Sequence, residues 1–243
     1  MTKNLAIIIP VYNQLHYTRQ VIQSIIKERK NTKNIETIHL VIVDNASTDE
    51  TSEFLKGEEY LQNVDGLKFY YIISETNLGY GGGSNKGIKL IKETYCVEDC
   101  DYLIMNNDMV VLEGCFDKLE EAAYSDSKIG IVGGKLLFPD STIQHAGAFL
   151  NVFGWGQHKG GGLREVDYLV EERVEEQEYV TGALFYLKET SVEILLEKDS
   201  TIFDEQFFMY FEEVDMCYRL RKYGYITVYT PFARAIHFEN VSN

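Results

Sequence analysis

Leu5-Ala-Ile-Ile-Ile-Pro-Val-Tyr-Asn13 opens the stretch that decides the fold, and Ile38-His-Leu-Val-Ile-Val-Asp44 closes it. Between them, residues 17–29 place Val21, Ile22, Ile25 and Ile26 at helical spacing. The outer pieces are near-continuous apolar runs of strand length, and the middle piece is an amphipathic helix. Two parallel strands need a crossover long enough for a helix, so this order predicts a parallel unit. Runs apolar at almost every position predict a sheet covered on both faces.

The alternation continues outward. Ser47-Thr-Asp-Glu50 offers N-cap chemistry for a short helix through Phe54 and Leu55. Residues 67–73 form a third apolar run, and a Gly-rich turn at 79–83 opens a helix carrying Ile88, Leu90 and Ile91. A fourth strand at 102–105 ends in Asn106-Asn107-Asp108. The texture changes near residue 130. Residues 129–138 read as a strand pair or one long bent strand, and 147–162 are Gly-rich and aromatic. The acidic segment 171–178 reads as a solvated face. Strands are expected at 180–187 and 225–229, with a helix at 212–223. With no internal repeat and no Pro/Gly/Ser linker, the expectation is one α/β domain. It has a Rossmann-like, mainly parallel but mixed central sheet flanked by helices.

Composition narrows the function. The 243 residues carry 23 Lys and Arg against 38 Asp and Glu, a net charge of −15. Nucleic-acid binders need a basic footprint, so that class is set aside. Apolar content of 45% and only 3 Pro speak against disorder. No apolar run has the length of a membrane span, and the N-terminus lacks a signal-peptide h-region. Four scattered cysteines make neither a disulfide scaffold nor a zinc site, which points to a reducing cytoplasm.

In open parallel sheets, ligands bind beyond the carboxyl ends of the strands. Three such ends carry polar residues here: Tyr12-Asn13, Asp44-Asn45 and Asn106-Asn107-Asp108. The plain alternative is that Asn and Asp start turns there. The cluster Gly79-Tyr-Gly-Gly-Gly-Ser-Asn-Lys-Gly87 fits neither the dinucleotide fingerprint nor the Walker loop. Its glycines nevertheless permit close backbone approach to a ligand at a helix N-terminus.

Taken together, Ile9-Pro-Val-Tyr-Asn13, Val43-Asp-Asn-Ala-Ser-Thr-Asp49, Asn77-x-Gly79 with Asn85-x-Gly87, and Leu103-Ile-Met-Asn-Asn-Asp108 resemble the family 2 glycosyltransferases with a GT-A fold. Gly133-Gly-Lys-Leu-Leu-Phe-Pro-Asp140, Ile143-Gln-His-Ala-Gly147, Tyr179-Val-Thr-Gly-Ala183 and Phe207-Phe-Met-Tyr-Phe-Glu-Glu-Val-Asp215 are similar to its bacterial rhamnosyltransferase and polysaccharide-assembly branch. The resemblance runs through nearly the whole chain. It implies an inverting enzyme that moves a sugar from a UDP- or dTDP-linked donor to a glycan, lipid-linked glycan or protein hydroxyl.

The same resemblance assigns residues. It implies a nucleotide-binding half at 1–111 and an acceptor-side half at 112–243, within a polypeptide that can extend further. Pro10, Val11, Tyr12, Asn13 and Asp44 are expected at the nucleoside, with Asn77, Gly79, Asn85 and Asn107 near the diphosphate and sugar. A divalent cation, Mn²⁺ or Mg²⁺, is expected on Asp108 with Asn106 and His237. Asn106 stands where the family carries a first carboxylate. Glu213, the second acid of the Glu212-Glu213 pair, is the expected general base. Trp155, Gly182, Ala183 and Glu212 fall on the acceptor side. Peripheral contact with a membrane stays open. Two other readings remain: a sugar nucleotidyltransferase, and a nucleotide-sugar-binding module without catalysis.

Overall fold

The computed structural model describes residues 4–57, 61, 63–168 and 172–239. Strand β1 (Asn4–Val11), helix α1 (Leu15–Arg29), β2 (Thr37–Asp44), α2 (Thr51–Gly57) and β3 (Leu67–Ile73) open the chain. Next come α3 (Gly79–Lys89), β4 (Cys100–Met105), β5 (Met109–Val111), α4 (Cys115–Ala123) and β6 (Ile129–Leu137). Short strands β7 (Ile143–His145), β8 (Ala148–Leu150), β9 (Gly156–His158) and β10 (Glu175–Gln177) follow. β11 (Leu184–Leu187), α5 (Glu189–Asp199), α6 (Glu212–Lys222) and β12 (Ile226–His237) complete the described part.

One ten-stranded sheet runs through both halves, in the order β10-β12-β6-β11-β4-β1-β2-β3, with β5 on β12 and β7 on β6. β4, β1, β2 and β3 are parallel. β11 lies antiparallel between β4 and β6, so the sheet is mixed. The expected two-sided burial is present. Along β1, Leu5, Ile7 and Ile9 join a core with Val21, Ile22 and Ile25 of α1 and Phe116 and Leu119 of α4. Ala6 and Ile8 face the other way, onto Ile88 of α3, Val192 of α5 and Met216 and Leu220 of α6. Alternate side chains of a strand leave opposite faces, and here both faces are covered.

Several expectations change. Of the two forms left open for 129–138, the single strand is the one present, over Ile129–Leu137. The run 180–187 becomes a strand only at Leu184, because a turn occupies Gly182 and Ala183. The last strand does not stop at Tyr229. It passes Pro231 through a register shift between Thr230 and Arg234 and continues to His237. Proline is tolerated in a strand at such an irregularity.

The glycines expected to form a turn at 79–83 lie inside α3 instead. The reason is proximity: an added Cβ at Gly87 would meet Ile8 Cγ2 at 2.4 Å, and at Gly83 the Pro10 Cβ at 3.0 Å. The glycines let a helix lie close against β1. The acidic segment is not simply solvated either. Glu175–Gln177 pairs with β12, Glu172 meets Lys135 at 3.0 Å, and Glu178 accepts from Leu150 N–H at 2.6 Å. Glu171 lies outside the described residues. Helices α4 and α5 and the β8–β9 hairpin had no counterpart in the sequence reading.

Candidate active site

The parallel register sets Val11 beside Asp44 and Asp44 beside Ile73, so the carboxyl ends of β1, β2 and β3 form one edge. Asn13 and Gln14 follow with φ of 59° and 62°, a left-handed reversal between β1 and α1. Asn13 Oδ1 accepts from Thr48 N–H at 2.7 Å, and Asn13 N–H donates to Ser47 Oγ at 2.7 Å. Pro10 and Val11 are buried, while Tyr12 is 48% exposed and faces outward from this edge.

Asp44 is placed differently from the expectation. It is fully buried, and its carboxylate accepts from Ser47 N–H at 2.8 Å and from the Ser52 hydroxyl. It shapes the loop that frames Tyr12 and presents no exposed atom to a ligand. Asn77 is exposed and Asn85 partly buried, and both bond to neighbouring backbone. Asn77 Oδ1 accepts from Gly79 N–H at 2.9 Å, where Gly79 has a φ of +71° against Phe208. The Asn85 amide donates to Phe203 O at 2.9 Å, and its oxygen accepts from Phe203 N–H at 3.0 Å. These residues hold the 201–208 segment over α3.

The end of β4 meets the end of β12. Met109 of β5 pairs with His237, the last residue of β12, so residues 106–108 are folded back against the imidazole. Asp108 Oδ1 lies 3.2 Å from His237 Nε2. His237 Nδ1 donates to Gln144 Oε1 at 2.7 Å, and the Gln144 amide donates to Glu239 at 2.9 Å. With the ring proton committed to Gln144, Nε2 turns a lone pair toward a carboxylate oxygen. Two electron-rich atoms facing each other are satisfied by a cation, either a proton on the ring or a metal ion between them. The Asn106 amide N–H donates to the same nitrogen at 3.2 Å, so only its oxygen is left to ligate a cation. Carboxylate, imidazole and amide form a donor set that suits Mn²⁺, with Mg²⁺ favouring the oxygens. Among the described residues no cluster of three or more His, Cys, Asp or Glu is placed to hold a metal. A bound ion would therefore draw the rest of its shell from substrate oxygens and water. Asn107 is turned away, donating to Thr18 Oγ1 at 3.2 Å.

The two acids that open α6 lie in contrasting surroundings. Glu212 is 4% exposed, its Oε2 has no hydrogen-bond partner, and its pKa is pushed up to about 7 by burial and by the charge of Glu213. Glu213 is half-buried. Burial raises its pKa, while the N–H groups at the helix start and of Gly182 hold it back. Gly182 lies against this carboxylate, since an added Cβ there would meet Glu213 Cδ at 3.5 Å. Ala183 O accepts from Asn106 N–H at 3.0 Å, which ties the same turn to the 106–108 segment.

Tyr80 links these pieces, and sequence reasoning missed it. Its hydroxyl donates to Gly182 O, and burial together with the charges of Glu212, Glu213 and Asp108 raises its pKa. One phenol thus lies within range of all three carboxylates. Gln144 was also missed, although it sits in the quoted Ile143-Gln-His segment. Its relation to His237 depends on β7 folding back on β6. Asp215 pairs with Arg219, one turn further along α6, at 2.7 Å. Trp155 stands 64% exposed in the β8–β9 turn, and the following Gly156 packs on the Tyr179 hydroxyl.

Comparisons with known proteins agree with this geometry. The family description "Glycosyl transferase family 2" matches residues 6–148. N-acetylglucosaminyl-diphospho-decaprenol L-rhamnosyltransferase of Mycobacterium tuberculosis is 27% identical over 217 residues, covering 82% of this chain and 66% of that protein. The O-antigen biosynthesis protein RfbC of Myxococcus xanthus is 33% identical over 145 residues, covering 58% of this chain and 11% of that protein. Among solved structures, GalNAc-T7 with UDP, GalNAc and Mn²⁺ superposes with a TM-score of 0.71 at 14% identity, over 99% of this chain and 45% of that one. The mannosyltransferase PcManGT from Pyrobaculum calidifontis, in complex with GDP-Man and Mn²⁺, gives 0.61 at 15% identity, over 98% and 58%. The chain thus spans under two thirds of the length of each of these four proteins. It has the GT-A fold and belongs to glycosyl transferase family 2.

Proposed function

We propose that this chain carries an inverting, cation-assisted glycosyl transfer from a nucleotide-diphospho-sugar, UDP- or dTDP-linked, to a hydroxyl of a glycan acceptor. The observation that carries the proposal is that one turn, Gly182-Ala183, joins the two acids: Ala183 O accepts from Asn106 N–H beside the Asp108–His237 pair, and Gly182 lies against the Glu213 carboxylate. Tyr12 is the exposed aromatic available to flank the base, on a loop shaped by Asp44 and Asn13. A divalent cation held by Asp108, His237 and Asn106 would offset the negative charge of the departing diphosphate.

The protein's own part is proton transfer and positioning. The acceptor oxygen forms a bond to the anomeric carbon while the bond from that carbon to the diphosphate oxygen breaks. The electron pair leaves with the diphosphate, and the hydroxyl proton passes to the Glu213 carboxylate. Burial brings the Glu213 pKa nearer neutrality, which makes it a stronger base than a solvated glutamate. The name of the M. tuberculosis relative supports a lipid-diphosphate-linked glycan as the acceptor class.

Donor binding and transfer are separable. Glu213→Gln is expected to keep donor affinity and to lose about 10²–10⁴-fold in kcat, the range of a general base. Asp108→Ala is expected to abolish the Mn²⁺ dependence of donor binding measured by calorimetry. Normal transfer by both variants would overturn the assignment. Donor binding without transfer by the parent chain, across a panel of acceptors, would favour a binding module instead.

A further inference from the structure

The β8–β9 hairpin exposes apolar side chains that no part of the described protein covers. Val152 is 94% exposed, Phe153 82% and Trp155 64%. The turn that carries them is closed by its own backbone. Asn151 Oδ1 accepts from Phe153 N–H at 2.9 Å and from Trp155 N–H at 3.1 Å. Asn151 N–H donates to Trp155 O, and Gly154 N–H to Asn151 O, both at 2.9 Å. Four backbone N–H groups of the tip are thus paired within it, and the side chains it offers outward are hydrocarbon and indole. Pairing those amides inside the turn lowers the cost of entering an apolar medium.

Charge points to the same medium. In a chain with 38 acidic residues, none lies between Ser141 and Arg164, and no charge of either sign lies between Ser141 and His158. The two cations that follow are already paired, Lys159 with Glu175 at 3.5 Å and Arg164 with Asp167 at 2.6 Å. An uncharged tip on a chain of net charge −15 is suited to insertion through apolar contact rather than to adsorption by opposite charge. Tryptophan favours the boundary between headgroups and acyl chains, where its ring is in hydrocarbon and its N–H in water. A three-residue tip is too small for a stable protein dimer, which needs roughly 800 Å² per partner.

The hairpin is rooted beside the proposed base. Ala148 bridges Tyr179, Leu150 N–H donates to Glu178, and Gly156 rests on the Tyr179 hydroxyl. The Tyr179 phenol is pushed up to about 12 by burial and by the charge of Glu213. We infer that residues 149–155 dock into the headgroup–acyl boundary of a lipid bilayer and so bring a lipid-anchored acceptor to the Glu213 side of the site. The acceptor clause rests on the transfer proposed above; the docking itself does not.

Trp155 is the sole tryptophan, so the full chain reports on its own tip. Adding phosphatidylcholine vesicles, with no donor or acceptor present, is expected to shift Trp155 emission to the blue. Lipids brominated on their acyl chains are expected to quench it. Admixed phosphatidylglycerol is expected to weaken binding, because the chain and the lipid then share a sign. Val152→Ser with Phe153→Ser, both at exposed positions, is expected to lower vesicle partitioning at least tenfold with the circular dichroism spectrum unchanged. Glu213→Gln is expected to bind vesicles as the parent does, so loss of transfer and loss of docking are read separately. Emission that ignores vesicles but responds to soluble glycans would make Trp155 a sugar platform and overturn the inference. Emission that depends on protein concentration without lipid, or undiminished vesicle binding by the double variant, would also overturn it.

Discussion

Tyr80 shows how much one partly buried residue organises. Its hydroxyl holds the carbonyl of Gly182, and the N–H of Gly182 points at the Glu213 carboxylate. Removing the hydroxyl leaves the ring in place and frees the turn that positions the base. Tyr80→Phe is expected to lower kcat about 3–10-fold, the value of one ordinary hydrogen bond, with donor KM unchanged. The acid limb of the pH–rate profile should also move, because an N–H that lowers the Glu213 pKa is loosened. A fall in stability with an unmoved pH profile would make Tyr80 a packing residue only. At this scale the sequence singled out Asp108, His237 and Glu213, and the structure sets Asp108 against His237 and Glu213 in the first turn of α6. Asp44 is buried with its carboxylate bonded to its own loop, while the Asn77 and Asn85 side chains bond to neighbouring backbone. A carboxylate at a strand end looks the same in sequence whether it faces a ligand or the loop behind it.

Among the elements, α3 is the one whose sequence misleads. Three consecutive glycines suggest a turn or a phosphate cradle, yet Gly81, Gly82 and Gly83 are helical. Glycine weakens a helix interior by roughly 0.5–1 kcal/mol relative to alanine, so its presence needs a reason. The reason is close approach, clearest at Gly87, where a Cβ would sit 2.4 Å from Ile8 Cγ2 in the middle of β1. Gly87→Ala is expected to destabilise by about 1–3 kcal/mol, the cost of overpacking a filled core, measured by urea denaturation. Gly57→Ala, where nothing lies within 4 Å of the added methyl, serves as the neutral comparison. Equal stability of the two variants would remove the packing explanation. The hairpin at 148–158 is the second element hidden from sequence, since three-residue strands are too short to show a period.

Across the whole molecule, two buried glutamates couple stability to pH. Glu28, on α1 against the start of α4, and Glu212 at the start of α6 both have pKa values pushed up to about 7, chiefly by burial. A raised carboxyl pKa means the folded state holds the proton more tightly than the unfolded state. Stability is therefore lost as pH rises through the window from about 4.5 to 7. Each group contributes up to about 3 kcal/mol across that window, and less where the two states share solvent. Urea denaturation at pH 5 and pH 8 should show the parent weaker at pH 8. The double variant Glu28→Gln, Glu212→Gln should show a flatter dependence. An undiminished slope would mean that other groups govern it.

The succession of apolar runs and amphipathic helices determined the α/β class and a mainly parallel sheet, with β1, β2 and β4 buried on both faces. These follow from local periodicity, which a sequence carries in full. The motif residues determined the family. Tertiary structure alone decided that β12 runs on past Pro231 to set His237 against Asp108, because that contact joins residues 129 positions apart through strand pairing. It also decided which polar residues of the strand ends face inward, and that the sole tryptophan stands on an uncovered turn. Periodicity records which face a residue takes within its own element. What lies opposite that face depends on where distant elements come to rest, and no single stretch of chain contains that information.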